Sequence, residues 1–178
     1  MFQKIRQNRF LLFLLKAVGL YVAWYMFYHL WINPHTRLDL FMINVLITHS
    51  SALLELLGYP LIEYPYDEIY RTMGIDGSNG VWIGDSCNGL NLFATFSIFI
   101  LSWPGPWKRK LWFIPAGMLI IHLINIVRIA MLSIIALHHP RWLDFNHTYT
   151  FQIIAYLLIF IMWMWWANRI GKEKPVSK

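Results

Sequence analysis

Three side chains stand out from an otherwise oily sequence. Cys87 is the only cysteine among 178 residues. A thiolate is a nucleophile, and a histidine or a cation beside it makes it one near neutral pH. Arg128 sits inside an apolar run, and His147 opens another. Arginine offers fixed positive charge to a developing oxyanion in a low-dielectric site, and histidine moves protons at physiological pH. Together these are the parts for acyl transfer through a cysteine. Each also has an ordinary use. A lone cysteine in an apolar run is commonly a small inert hydrophobe. An arginine can snorkel to headgroups, and interfacial histidines are often only interfacial. Context favours chemistry for Cys87, because Ser86-Cys87-Asn88-Gly89 reads as a polar turn at a helix start, where a thiolate is favoured.

Arg128 is the sharper signal. An arginine at the centre of a membrane costs at least about 2.5–3.5 kcal/mol, so it needs a partner or a wet site. His122, Asn125 and Arg128 recur at a spacing of three and fall roughly along one helix face. Such a stripe is expected to face the bundle interior. His138 and His139 compete with His147 for its role. Being adjacent, they point about 100° apart on a helix, which makes a poor metal pair. No cysteine, histidine and carboxylate cluster at metal-ligand spacing occurs, so the chemistry is expected to use neither metal nor cofactor.

The elements that must position these residues are membrane helices. Hydrophobic residues make up 58% of the chain and charged ones 13%, about half the charge of a soluble domain. The net charge of +6 does not mark a nucleic-acid binder, because the basic residues sit at the ends of apolar segments, as membrane orientation requires. A span needs about 20 apolar residues. Residues 10–31, 87–103, 111–137 and 148–168 meet or approach this, giving an all-α polytopic membrane protein in a single domain. The run from Phe10 to Trp31 is too long for a signal-peptide core and reads as a retained helix.

Residues 38–58 are ambiguous, being apolar but interrupted by Asn44, His49, Ser50, Ser51 and Glu55. Charge counting assigns them. If they do not span, ten basic residues flank the inner ends and only Arg37, Arg71 and Arg141 lie outside. If they span, the inside holds five and the outside eight. Basic residues accumulate on the cytoplasmic side, so four spans with both termini cytoplasmic are expected. Segment 38–58 then lies on the outer face as an interfacial or half-inserted amphipathic helix. Within the outer region 32–86, the runs Glu68 to Met73 and Gly80 to Gly84 flank the turn-rich stretch Gly74 to Asn79 and read as a small β-hairpin. Pro104-Gly105-Pro106 marks a tight inner loop. Residues 170–178 form a polar tail, expected to be disordered.

Depth then brings the three residues together. Cys87 begins its span at the outer end. Arg128 lies 17 residues beyond Leu111, about 26 Å along a rising helix, so it too nears the outer surface. His147 opens the last span on the same side.

Asp85-Ser86-Cys87-Asn88-Gly89-Leu90, Asn125-Ile126-Val127-Arg128-Ile129 and Asn146-His147 resemble the three motifs of the exosortase/archaeosortase family. That family comprises membrane-embedded cysteine transpeptidases. The resemblance covers about residues 80–170, and the chain is similar to the compact branch that resembles exosortase F. Two positions depart from the pattern: Asn88 stands where the family usually has Ser, and Asn91 where it often has Arg. The resemblance implies substrates that are exported proteins with a C-terminal sorting signal: a short motif, a membrane helix and a basic tail. It implies Cys87 as nucleophile, Arg128 as stabiliser of oxyanion or thiolate, and His147 as general acid/base. Membrane lipid is the other implied partner. The implied location is the inner (plasma) membrane, with the site facing the periplasm or exterior.

Two other readings make different predictions. A non-catalytic transport or assembly component, with Arg128 and the histidines along an ion path, would keep its function in Cys87→Ala and lose it in Arg128→Ala. A lipid-modifying acyltransferase using His147 would draw on a lipid thioester and cleave no protein.

Overall fold

The computed structural model describes residues 8–63 and 71–170. Residues 68–70 of the expected first strand run and 171–178 of the expected tail lie outside that range. Helix α1, Arg9–Phe27, starts where Asn8 accepts hydrogen bonds from the amides of Phe10 and Leu11 at 3.1 and 3.2 Å. This supplies acceptors to otherwise orphaned first-turn donors. It continues through a π-helical turn, Tyr28–Ile32. Helix α2 is Leu38–Leu56. Strands β1, Thr72–Met73, and β2, Val81–Trp82, pair antiparallel with Thr72 opposite Trp82 and Met73 opposite Val81. A 3-10 turn, Asp85–Cys87, leads to α3, Leu90–Ser102. Helix α4 is Trp107–His138, and α5 is Phe151–Trp165.

The chain is thus an all-α polytopic membrane protein carrying one small sheet. Four helical stretches are long and apolar enough to cross a membrane, by length and composition: Phe10–His35, Leu38–Leu56, Trp107–His138 and Pro140–Ile170. Their membership differs from the sequence reading. Leu38–Leu56 qualifies by this measure. Helix α3, with 13 residues, is about 20 Å long and falls short of a core about 30 Å thick. The reason is local. Gly89 has φ +89°, a left-handed conformation that only glycine adopts cheaply, so the helix begins at Leu90 and not at Cys87.

Two larger clusters divide the bundle, and a third, of Phe13, Ala17 and Ile98, joins α1 to it. The lower one joins Phe96 and Ile100 of α3, Phe113 and Ile121 of α4, and Ile159 and Met162 of α5. Here α3 and α4 approach closely at Gly117, where a Cβ would lie 2.2 Å from the Phe96 ring. Van der Waals fit of this kind drives helix association in lipid, since the tails are as apolar as leucine. Phe13 of α1 stacks on Trp163 beside it, with centroids 5.1 Å apart. Lys110 is buried and donates to the carbonyls of Leu101 and Trp103 at 3.0 and 2.6 Å. It thereby satisfies the C-terminal acceptors of α3 across the Pro-Gly-Pro loop.

The upper cluster joins Ile43, Leu46 and Leu54 of α2, the hairpin residues Met73 and Val81, Cys87, and Ile129 of α4. Helix α2 therefore packs along its length against the hairpin and the C-terminal half of α4. The outward residues of α1 and α5, such as Leu15, Val18, Ile153 and Leu157, are exposed, as lipid-facing positions are.

Candidate active site

The site is built around a turn. Asp85 pairs with Arg71 at 2.6 Å, and the Ile83 amide donates to the Arg71 carbonyl at 2.6 Å. These contacts tie the 3-10 turn to the hairpin. The Cys87 amide closes that turn on Gly84 O at 2.9 Å. Asn88 follows, 1% exposed. Its Oδ1 accepts from the Leu90 amide at 2.9 Å, and its Nδ2 donates to Asp39 Oδ1 at 2.6 Å. Gly89 is constrained twice, by its positive φ and by a neighbour: a Cβ there would stand 3.3 Å from Asn125 Nδ2.

At the Cys87 thiol, buried at 4% exposure, the other two expected residues converge. His147 Nε2 lies 3.1 Å from Sγ. Arg128 Nη2 donates toward Sγ at 3.8 Å, and Ser86 Oγ is also 3.8 Å away. Asn125 Nδ2 donates to the Cys87 carbonyl at 3.0 Å, so α4 grips both the backbone and the sulfur of the same residue. His147 sits in a π-helical turn, Asn146–Thr150. Such single wide turns recur at functional sites because they re-aim a side chain. Asn146, its neighbour in the motif, instead donates to Trp142 O at 2.9 Å. His138 and His139 are exposed at the end of α4, and the histidine at the thiol is His147.

The expected polar stripe on α4 splits. Asn125 and Arg128 reach Cys87, whereas His122 pairs with His49 of α2, Nε2 to Nδ1, at 3.0 Å. Among the described residues, no three His, Cys, Asp or Glu side chains gather as metal ligands.

Sequence reasoning missed Asp39. It is 5% exposed and accepts from Tyr28 Oη at 2.7 Å, Asn88 Nδ2 at 2.6 Å and Asn33 Nδ2 at 3.4 Å. This carboxylate links the end of α1, the start of α2 and the turn that carries the thiol. The available signal was a carboxylate in the first turn of an apolar segment. Asp39→Ala leaves buried donors on Tyr28 and Asn88 without an acceptor and is expected to cost about 2–4 kcal/mol of stability. Thermal unfolding in detergent measures this; a variant that melts with the parent would show that the carboxylate does not hold the turn.

Comparison with known proteins adds one match. A family model described as transmembrane exosortase covers residues 6–166. No curated protein and no solved structure matches the chain.

Proposed function

The chain belongs to the transmembrane exosortase family, and from that premise we propose that it cleaves the C-terminal sorting signal of exported proteins through a Cys87 thioester. The observation that carries this reading is the convergence on one thiol of His147 at 3.1 Å and Arg128 at 3.8 Å. His147 takes the thiol proton on Nε2. The thiolate attacks the scissile carbonyl carbon, and the Arg128 guanidinium faces the oxyanion that forms. The C–N bond then breaks as His147 returns the proton to the leaving amine. An amine or hydroxyl acceptor, or water, attacks the thioester. His147 accepts its proton, and the thiolate departs and is reprotonated.

The placement is proposed with it. Both termini are cytoplasmic, the thiol faces the periplasm or exterior, and the short α3 together with its flanking turns returns the chain to the inner side. Helix α2 stays in the outer half of the membrane. That placement is supported by the charge count and by its contacts. Its start meets Asn88, and Leu54 near its end shares the upper cluster with the hairpin and Cys87. Against an ion path stands the splitting of the α4 stripe, since Arg128 and His147 meet at a thiol and are not strung out in depth.

The test is interception of the thioester. In membranes of the host, neutral hydroxylamine is expected to release exported proteins as C-terminal hydroxamates, and intact mass should show an acyl adduct on Cys87. Hydroxamates appearing equally without the protein would defeat the proposal. Arg128→Gln removes the charge beside the sulfur while keeping some bulk. It is expected to slow adduct formation by about 10²–10³-fold, read as the rate of precursor loss in a pulse-chase.

A further inference from the structure

The other end of the bundle carries an open cleft of about 620 Å³ between α4 and α5, lined by Arg109, Trp112, Trp165, Arg169 and Ile170. Arg109 lies 19 residues before Arg128 on α4, about 28 Å away along the helix, so the cleft is remote from the thiol. Its volume falls within the ~300–1,000 Å³ of small-molecule sites. Each wall is one helix face. Arg109 and Trp112 are three residues apart, and Trp165 and Arg169 four apart, the spacings that put side chains on the same side of a helix. Beneath the cleft the two helices are locked together. The Phe113 ring meets Trp166 and Trp165 with centroids 5.0 and 5.8 Å apart. Helix α5 runs on into a π-helical turn, Trp166–Ile170. Arg109 Nη1 donates to the Ile170 carbonyl at 2.6 Å, which caps that helix end and fixes one guanidinium at the cleft.

The charge of the lining is one-sided. Two arginines from two helices share the cleft, and like charges repel unless an anion joins them. Among the described residues, no carboxylate lies within ion-pair distance of Arg169. Helix α4 also begins at this end, with no capping side chain and no acidic residue in its first turn, so its dipole adds positive potential. Trp112 and Trp165 are each more than half exposed, as indoles at headgroup level are. Deeper on the same helices, Leu119 and Ile161 are exposed too and continue this surface toward hydrocarbon.

We propose that the cleft binds the phosphodiester headgroup of an anionic phospholipid, with Arg169 as the principal donor. The planar guanidinium fork matches two phosphate oxygens at once. Arg109 supplies a second positive charge, and the two indoles pack on the glycerol and the first methylenes of the acyl chains. A lipid fits better than free phosphate, because the lipid-facing surface that continues from the indoles gives those chains a place to lie. The bound lipid straps together the ends of α4 and α5. The site is independent of the chemistry at Cys87.

The test is lipid retention by the full chain purified in uncharged detergent, read by native mass spectrometry. Offered phosphatidylglycerol and phosphatidylcholine with matched chains, the protein is expected to keep one phosphatidylglycerol, with a preference of about tenfold. Arg169→Gln should weaken that binding about tenfold. Lys108→Gln, which removes an exposed charge at the same end but outside the cleft, should leave it unchanged. Equal retention of the two lipids, or equal losses in both variants, would overturn the site in favour of diffuse surface charge. Inorganic phosphate in large excess should not displace the lipid; full displacement would make a free anion the ligand and overturn the lipid assignment. Hydrogen exchange in the parent needs no variant. Phosphatidylglycerol should protect the amides of residues 107–112 and 165–170 more than phosphatidylcholine does. Equal protection would overturn the proposal even if Arg169→Gln failed to fold.

Discussion

Cys87→Ala is expected to abolish trimming of exported proteins, lowering the rate by at least about 10⁴-fold, because no other side chain in the site can form the acyl intermediate. Ser86 Oγ lies 3.8 Å from Sγ, and among the described residues no histidine or carboxylate is hydrogen-bonded to it as His147 is to the thiol. The measurement is mass spectrometry of C termini across the exported proteins of host cells carrying the parent or the variant. In the parent, a set of proteins should lack a terminal apolar helix and basic tail that the variant retains. Identical C termini in both would remove Cys87 from the nucleophile role and favour the non-catalytic reading. The variant should be checked for abundance in the membrane. Replacing one sulfur in a site gripped by Asn125, Asn88 and the Arg71–Asp85 pair is expected to leave the fold intact.

His147→Ala carries the second large effect. His147 Nε2 is at hydrogen-bond distance from Sγ, at 3.1 Å, and the two competing histidines lie exposed at the end of α4. General acid–base catalysis contributes about 10²–10⁴-fold, and the loss should fall in that range. Two controls separate proton transfer from packing. His147→Gln keeps a polar group in the π-helical turn but cannot shuttle a proton, and should be as slow as alanine. Added imidazole should restore part of the His147→Ala rate, with the restored rate rising with imidazole concentration. Glutamine activity near that of the parent would show that the residue only positions the thiol. Full activity in His147→Ala combined with loss in His138→Ala or His139→Ala would move the proton carrier elsewhere.

Much of this architecture is legible in one dimension because a membrane supplies an external axis. Hydropathy sets which stretches are helical, and the basic residues give an expected orientation. Residue count then converts position into depth. That arithmetic is enough to bring Cys87, Arg128 and His147 to one level. The hairpin is legible for another reason: its turn residues, Gly74 to Asn79, demand a reversal between two short strand-like runs, and Thr72–Met73 and Val81–Trp82 pair on either side of it.

Depth is one coordinate, and the other two come only from packing. A helix that is apolar nearly all round gives little sign of which face meets which neighbour. The sequence therefore determined the membrane class, the order of helices, and three residue types at a shared level. Tertiary structure decided what touches what. It turned His122 toward His49, away from the thiol, and chose His147 over His138 and His139. It brought Asp39, 49 positions from Asn88, to hold the turn that carries Cys87. It also moved the helix start past Cys87 to Leu90, because Gly89 takes a left-handed φ close to Asn125. Cys87 was conspicuous from the start as the only thiol. That it is clamped by one helix and faced by an imidazole from the turn before another follows from side-chain fit, which no single-chain pattern encodes.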